Sequence, residues 1–165
     1  MKKFIIILVA LIGFGISVNA QKAYNTEDAL AKGMVELFAS IDKISVDEWV
    51  NSLMPNYKLA KQLGVDVTKY YFPETDKEAI GFLKELYSDL LETYKYVKSN
   101  GDVKTLQYSH SEGGEDYYQK MGNGMGYLPR VYFKVKIDGK IEEVRMKIDA
   151  FVHNGQYYPL RIRIK

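Results

Sequence analysis

Tyrosine is the side chain with the most chemistry to offer here, with fourteen copies against one Trp and no Cys. Each joins a large apolar ring to a hydroxyl, which suits ligand pockets and interfaces and equally suits a β-sheet surface. Tyr87 and Tyr94 are spaced to share one helix face, two turns apart, while Tyr117, Tyr118 and Tyr127 fall in a glycine-rich stretch. With Trp49, these six are the candidate ligand-binding residues. Nucleophilic catalysis lacks its parts. Cys is absent, no Ser is framed as Gly-x-Ser-x-Gly, and neither His110 nor His153 has an evident Ser partner. Two His without a paired spacing do not build a zinc site, and His110 with Glu112, Glu115 and Asp116 lacks the Gly and terminal Glu of a calcium loop. Gly122-Asn123-Gly124-Met125-Gly126 is similar to a phosphate loop in composition, but no strand leads into it and no helix follows to cap an anion. The sequence therefore names no catalytic residue, no metal and no cofactor. It reads as a binding protein more than as an enzyme.

Residues 1–20 read as an export signal. Met1-Lys2-Lys3 is a basic start, Phe4 to Ile16 an apolar run, and Val18-Asn19-Ala20 a small-residue cleavage site. Cleavage after Ala20 is expected, which sends a bacterial chain to the periplasm or the medium. The run is shorter than the ~20 apolar residues that span a bilayer, so no stable membrane anchor is expected. Losing Lys2 and Lys3 leaves 21 basic and 21 acidic side chains, a net charge of zero. No nucleic-acid partner is expected on that balance. Residues 21–165 suit a single domain able to bury its own core.

The elements that must hold the tyrosines divide into a helical half and a sheet half. Over 26–41, Leu30, Met34, Leu37, Phe38 and Ile41 trace one helix stripe, capped by Asn25 or Thr26 with Glu27 and Asp28 in the first turn. Ser45 with Glu48 is a capping box, so a second helix starts at Val46; it is expected to falter at Met54-Pro55, resume and stop at Gly64. Thr75 with Glu78 opens a third helix over 76–98, whose apolar face includes Leu83, Leu90 and Tyr94 and which ends at Asn100-Gly101.

From residue 102 the period changes to two. A strand near 103–109 is followed by a long connection over 110–128, read either as a flap over a cavity mouth or as an ordinary loop with a short helix at 115–121. Val131, Phe133 and Val135 then alternate with polar residues up to Asp138-Gly139, a two-residue type I′ turn that pairs Phe133 with Val144 and Val131 with Met146. For the last hairpin, a two-residue turn at Asn154-Gly155 would set Arg161 against Ile148. A three-residue loop from His153 is expected instead, pairing Ile148 with Leu160 and Met146 with Ile162. That arrangement leaves a charged outer face with Lys134, Lys136, Arg145, Lys147, Arg161 and Arg163 beside Glu143 and Asp149. A solvated face explains it, and an anionic ligand or partner surface is the alternative.

The architecture is thus α+β, three N-terminal helices packed on a curved antiparallel sheet of about four strands. Its order resembles the nuclear transport factor 2-like superfamily. The resemblance is carried by Phe38-Ala39-Ser40-Ile41-Asp42-Lys43, by the Val46-to-Met54 helix, and by Asn154-Gly155-Gln156-Tyr157-Tyr158-Pro159-Leu160 near the end. Tyr157-Tyr158 stands where many exported members have Trp, and the short strand between the second and third helices would fall in 65–72. The resemblance implies a cone-shaped fold with a pocket between helices and sheet, and it transfers no catalytic Asp to this chain. The leading expectation is a non-catalytic exported domain that binds a small apolar or amphipathic ligand or a partner protein. The alternatives are a ketosteroid-isomerase-like isomerase or dehydratase, and an envelope assembly protein forming a homodimer through the sheet.

Overall fold

The computed structural model describes residues 23–68 and 73–165; the expected signal segment with its cleavage point, and 69–72 of the expected inter-helix strand, lie outside the described residues. Three helices, α1 (Glu27–Ala39), α2 (Val46–Gln62) and α3 (Asp76–Asn100), precede an antiparallel sheet. Its strands are β1 (Gly101–Glu112), β2 (Tyr118–Met121), β3 (Gly124–Tyr127), β4 (Arg130–Ile137), β5 (Lys140–His153) and β6 (Gln156–Ile164).

Each helix begins where a side chain can satisfy its unpaired N–H groups. Thr26 accepts from the Ala29 N–H at 3.1 Å, and reciprocal capping boxes open α2 at Ser45/Glu48 and α3 at Thr75/Glu78. The expected break at Pro55 does not occur, and α2 runs through it. Proline costs one intrahelical bond, but Leu53, Met54, Asn56, Tyr57 and Ala60 are all buried on either side, and their packing holds the helix. Gly64, at φ +69°, ends the helix as expected. Gly101 ends α3 differently. Its backbone is extended, so the chain passes straight into β1, and a Cβ there would run into the Lys136 carbonyl.

The sheet has six strands rather than about four, yet they lie in four lanes. β1 pairs β4 and β2 pairs β3, while β3 and β4 both pair β5, which also takes β6. Gly113-Gly114 interrupts the outer lane and Leu128-Pro129 the next, turning two long strands into four. The stretch 110–128 is therefore mostly strand. The expected helix over 115–121 shrinks to one 3-10 turn, Glu115–Tyr117, because 118–121 pair with 124–127 across a reversal at Gly122, φ +59°.

Between β4 and β5 the register is the expected one, with Asp138 and Gly139 both at positive φ. Between β5 and β6 it is not. The turn is the rejected two-residue one at Asn154-Gly155, and Leu160 is an extra residue: Ala150 faces Pro159, then Asp149 faces Arg161 and Ile148 faces Ile162. A one-residue bulge does what a longer loop was expected to do, returning the arginines to the outer face. On the inner face, Phe133, Met146, Ile148 and Ile162 meet Leu30, Phe38, Trp49, Leu83 and Leu90 of the helices in one buried cluster.

Candidate functional site

Three of the six candidate residues join helices to each other. Trp49 is fully buried and donates from Nε1 to the Leu83 carbonyl at 2.9 Å. The Tyr87 hydroxyl donates to the Ile44 carbonyl at 2.7 Å. Tyr94 stands edge-on to Phe38 at 5.9 Å, and burial first, then Asp42, raises its hydroxyl above the ordinary range. Phe38 in turn lies 5.5 Å from Phe133, so ring contacts fill the helix–sheet interior at this level.

Tyr118 and Tyr127 converge instead on Glu27. An antiparallel bridge between Tyr24 and Tyr157 sets the start of α1 against the beginning of β6. Glu27 in the first helical turn then faces the neighbouring strands. Its Oε1 accepts from Tyr118 at 2.9 Å and lies 3.5 Å from the Tyr157 hydroxyl; its Oε2 accepts from Tyr127 at 2.6 Å. The Tyr118 and Tyr157 hydroxyls are 2.6 Å apart. Burial, reinforced by the Glu27 carboxylate, drives the Tyr118 and Tyr127 hydroxyls far above their usual range and keeps them protonated. Gly113 backs the cluster: a Cβ would press on the Tyr127 hydroxyl and lie 2.9 Å from Glu27 Oε2.

Tyr117 points to the other side of the sheet. There Glu112 accepts from Tyr117 at 2.9 Å, from Tyr132 at 2.9 Å and from Arg130 at 3.1 Å. The tyrosine hydroxyls, Tyr117 first, hold its carboxyl below the usual range. His110 stacks on Tyr132 with ring centres 4.5 Å apart. The cluster anchors one wall of an open cleft of about 460 Å³ on the outer face, bounded by Tyr117, Gln119, Leu128, Arg130, Lys147 and Arg163. Asp149 closes its floor, ion-paired to buried Arg161 and 3.3 Å from Arg163. A second open cleft, about 510 Å³, lies at the far end of the sheet among Leu63, Val65, Met125 and Val152.

No protein-family model, curated protein or solved structure matches the chain. The resemblance to the nuclear transport factor 2-like superfamily therefore rests on pattern and element order. Among the described residues no helix is long and apolar enough to cross a membrane, and no three acidic or His side chains gather as a metal site.

Of the six candidates, the structure brings Tyr118 and Tyr127 together, sets Tyr117 on the outer cleft, and leaves Trp49, Tyr87 and Tyr94 away from both clefts. Sequence reasoning did not single out Glu27, Tyr157, Arg130 or Tyr132, whereas it set Lys147 and Arg163 on the charged outer face, with an anionic ligand or partner surface as the alternative to a solvated one. For Arg130 and Lys147 the signal was in hand, since pairing Val131 with Met146 already sets Arg130 opposite Lys147.

Proposed function

We propose that this chain is an exported, non-catalytic binding module whose binding surface is the outer face of the sheet. The observation that carries the reading is where open space lies. Between helices and sheet, Phe38 packs ring against ring with Tyr94 and Phe133, whereas the outer face carries a cleft of about 460 Å³ walled by polar and aromatic side chains. An isomerase or dehydratase needs a carboxylate and a Tyr facing a substrate. Glu27 with Tyr118 and Tyr127 has the residue types, but both carboxylate oxygens are engaged by hydroxyls and Glu27 lines neither cleft.

A second reading places an apolar ligand in the far cleft, favoured by Leu63, Val65, Met125 and Val152 in its lining. Native mass spectrometry of protein purified from its own host tests both, and a retained small molecule is the expected result. A bare chain, together with thermal-shift screens in which lipids, steroids and glycans all leave the midpoint unmoved, overturns the binding reading. A homodimer without ligand would favour assembly through the sheet instead.

A further inference from the structure

We infer that the outer-face cleft is a site for an oxyanion, the phosphate or sulfate group of a small amphipathic ligand, held by Arg130, Lys147 and Arg163. The inference rests on the outer face being the binding surface.

The register sets these three cations in one row: Arg130 of β4 faces Lys147 of β5, which faces Arg163 of β6. Like charges directly opposite one another destabilise a sheet, and other rows of this face avoid this by pairing Lys134 with Glu143 and Asp149 with Arg161. The next level adds to the excess, because the Lys165 N–H donates to the Arg145 carbonyl at 2.9 Å and brings two more cations beside the row.

The acids present answer for part of this charge. Glu112 takes Arg130 at 3.1 Å, and Asp149 is shared between Arg161 and Arg163. Among the described residues no carboxylate lies within ion-pair distance of Lys147. Lys165, then burial, then Arg145, Arg163 and Arg130 push its ammonium below the usual range. Arg163 Nε is buried and, among the described residues, donates to nothing. An ammonium without an acid, flanked by the part-exposed guanidinium groups of Arg130 and Arg163, makes a donor set of the kind that tetrahedral oxyanions accept.

The walls supply the rest of the recognition. Tyr117 and Leu128 offer apolar surface, while Asp116 and Gln119 offer groups for ligand hydroxyls. A ligand with an anionic head and a hydroxylated or ring-like body fits a cleft of this size, as a sugar phosphate would. The mature chain's zero net charge does not oppose this, because the field that matters is that of the row.

The test is a nitrogen-15 NMR titration of the mature chain, reading backbone amides and arginine Nε–H signals. The probes are inorganic phosphate, inorganic sulfate, glucose 6-phosphate and glucose, with phosphatidylcholine vesicles with or without phosphatidic acid as a separate arm. Saturable shifts at Arg130, Lys147, Gln119 and Arg163 with the anions, tightest for the ester and absent with glucose, are expected. Shifts with phosphatidic acid vesicles alone would assign the same oxyanion site to a lipid headgroup. Lys147→Gln should weaken binding at least about tenfold. Because it relieves repulsion in the row, it should also raise the thermal midpoint by roughly 1 to 3 °C, which excludes misfolding as the cause. Anion shifts that survive Lys147→Gln unchanged, or that map elsewhere, overturn the assignment. If glucose alone shifts the cleft residues, the binding surface stands and the oxyanion site falls. If no ligand moves any outer-face signal, both fall.

Discussion

The Tyr127 hydroxyl donates to Glu27 Oε2 at 2.6 Å, tying β3 to the first turn of α1 across a sequence separation of 100 residues. Tyr118 makes the matching bond to Oε1, so one carboxylate latches the helical half onto the end of the sheet. Glu27→Ala would leave hydroxyls that water reaches poorly without their acceptor, Tyr127 being 1% exposed. The expected loss is about 2 to 3 kcal/mol, in line with bonds to charged acceptors. For a domain of this size that lowers the thermal midpoint by roughly 5 to 10 °C, readable by calorimetry. A change within about 1 °C would show that the latch contributes nothing.

The same cluster fixes the response to alkali. Tyr118 and Tyr127 keep their protons to higher pH in the folded chain than at their ordinary value of 10.0. The folded state therefore binds protons more tightly than the unfolded one. Its stabilisation is complete below pH 10 and declines as pH rises beyond it. Unfolding midpoints measured by circular dichroism should fall steeply above pH 10, and phenolate absorbance should show these hydroxyls ionising only with unfolding. Early titration of all fourteen tyrosines in the folded chain would contradict the burial of the cluster.

Gly113 is where this latch is most sensitive to a single methyl group. An alanine Cβ would meet the Tyr127 hydroxyl and stand 2.9 Å from Glu27 Oε2, inside van der Waals separation. Either the hydrogen bond opens or β1 shifts. Gly113→Ala should destabilise the chain by about 1 to 3 kcal/mol, as overpacking does, and its cost should shrink when combined with Tyr127→Phe, which removes the obstructing oxygen. Additive costs in the double variant would place the clash elsewhere.

What the sequence disclosed follows the range of the forces involved. Ser45 with Glu48 and Thr75 with Glu78 act over one helical turn, and both capping boxes formed as read. The Asp138-Gly139 turn carries its own geometry, and the register from Val131/Met146 to Lys134/Glu143 followed from it. The β5–β6 register did not, because period two demands only that the arginines return to the outer face. A longer loop and a bulge at Leu160 satisfy that demand equally. Pro55 misled for a similar reason: the local penalty was real, and tertiary burial of its neighbours outweighed it. Glu27 was legible only as a first-turn carboxylate, since its partners come from 91, 100 and 130 residues away. Of the tyrosines, Tyr94 was legible as a member of the apolar stripe of α3 and was offered as a ligand-binding residue, while the division of Tyr117 from Tyr118 onto opposite sides depends on strand pairing that the glycines around them obscured.

The bulge also sets up the costliest substitution in the sheet. It brings Arg161 beside Asp149, and both side chains are only 7% exposed. Desolvation pulls the guanidinium below its usual range while Asp149 pulls it back, so each charge depends on the other. Asp149→Ala would take its carboxylate partner from the buried Arg161 guanidinium and cost about 3 to 5 kcal/mol. Replacing both, as Asp149→Leu with Arg161→Met, removes the buried charges together and should recover most of that loss, because the desolvation cost disappears with the attraction. Urea denaturation of Asp149→Leu, Arg161→Met and the double variant measures the coupling directly. A double variant as unstable as Asp149→Ala would mean that Asp149 holds the chain through Arg163, 3.3 Å away, and not through the buried pair.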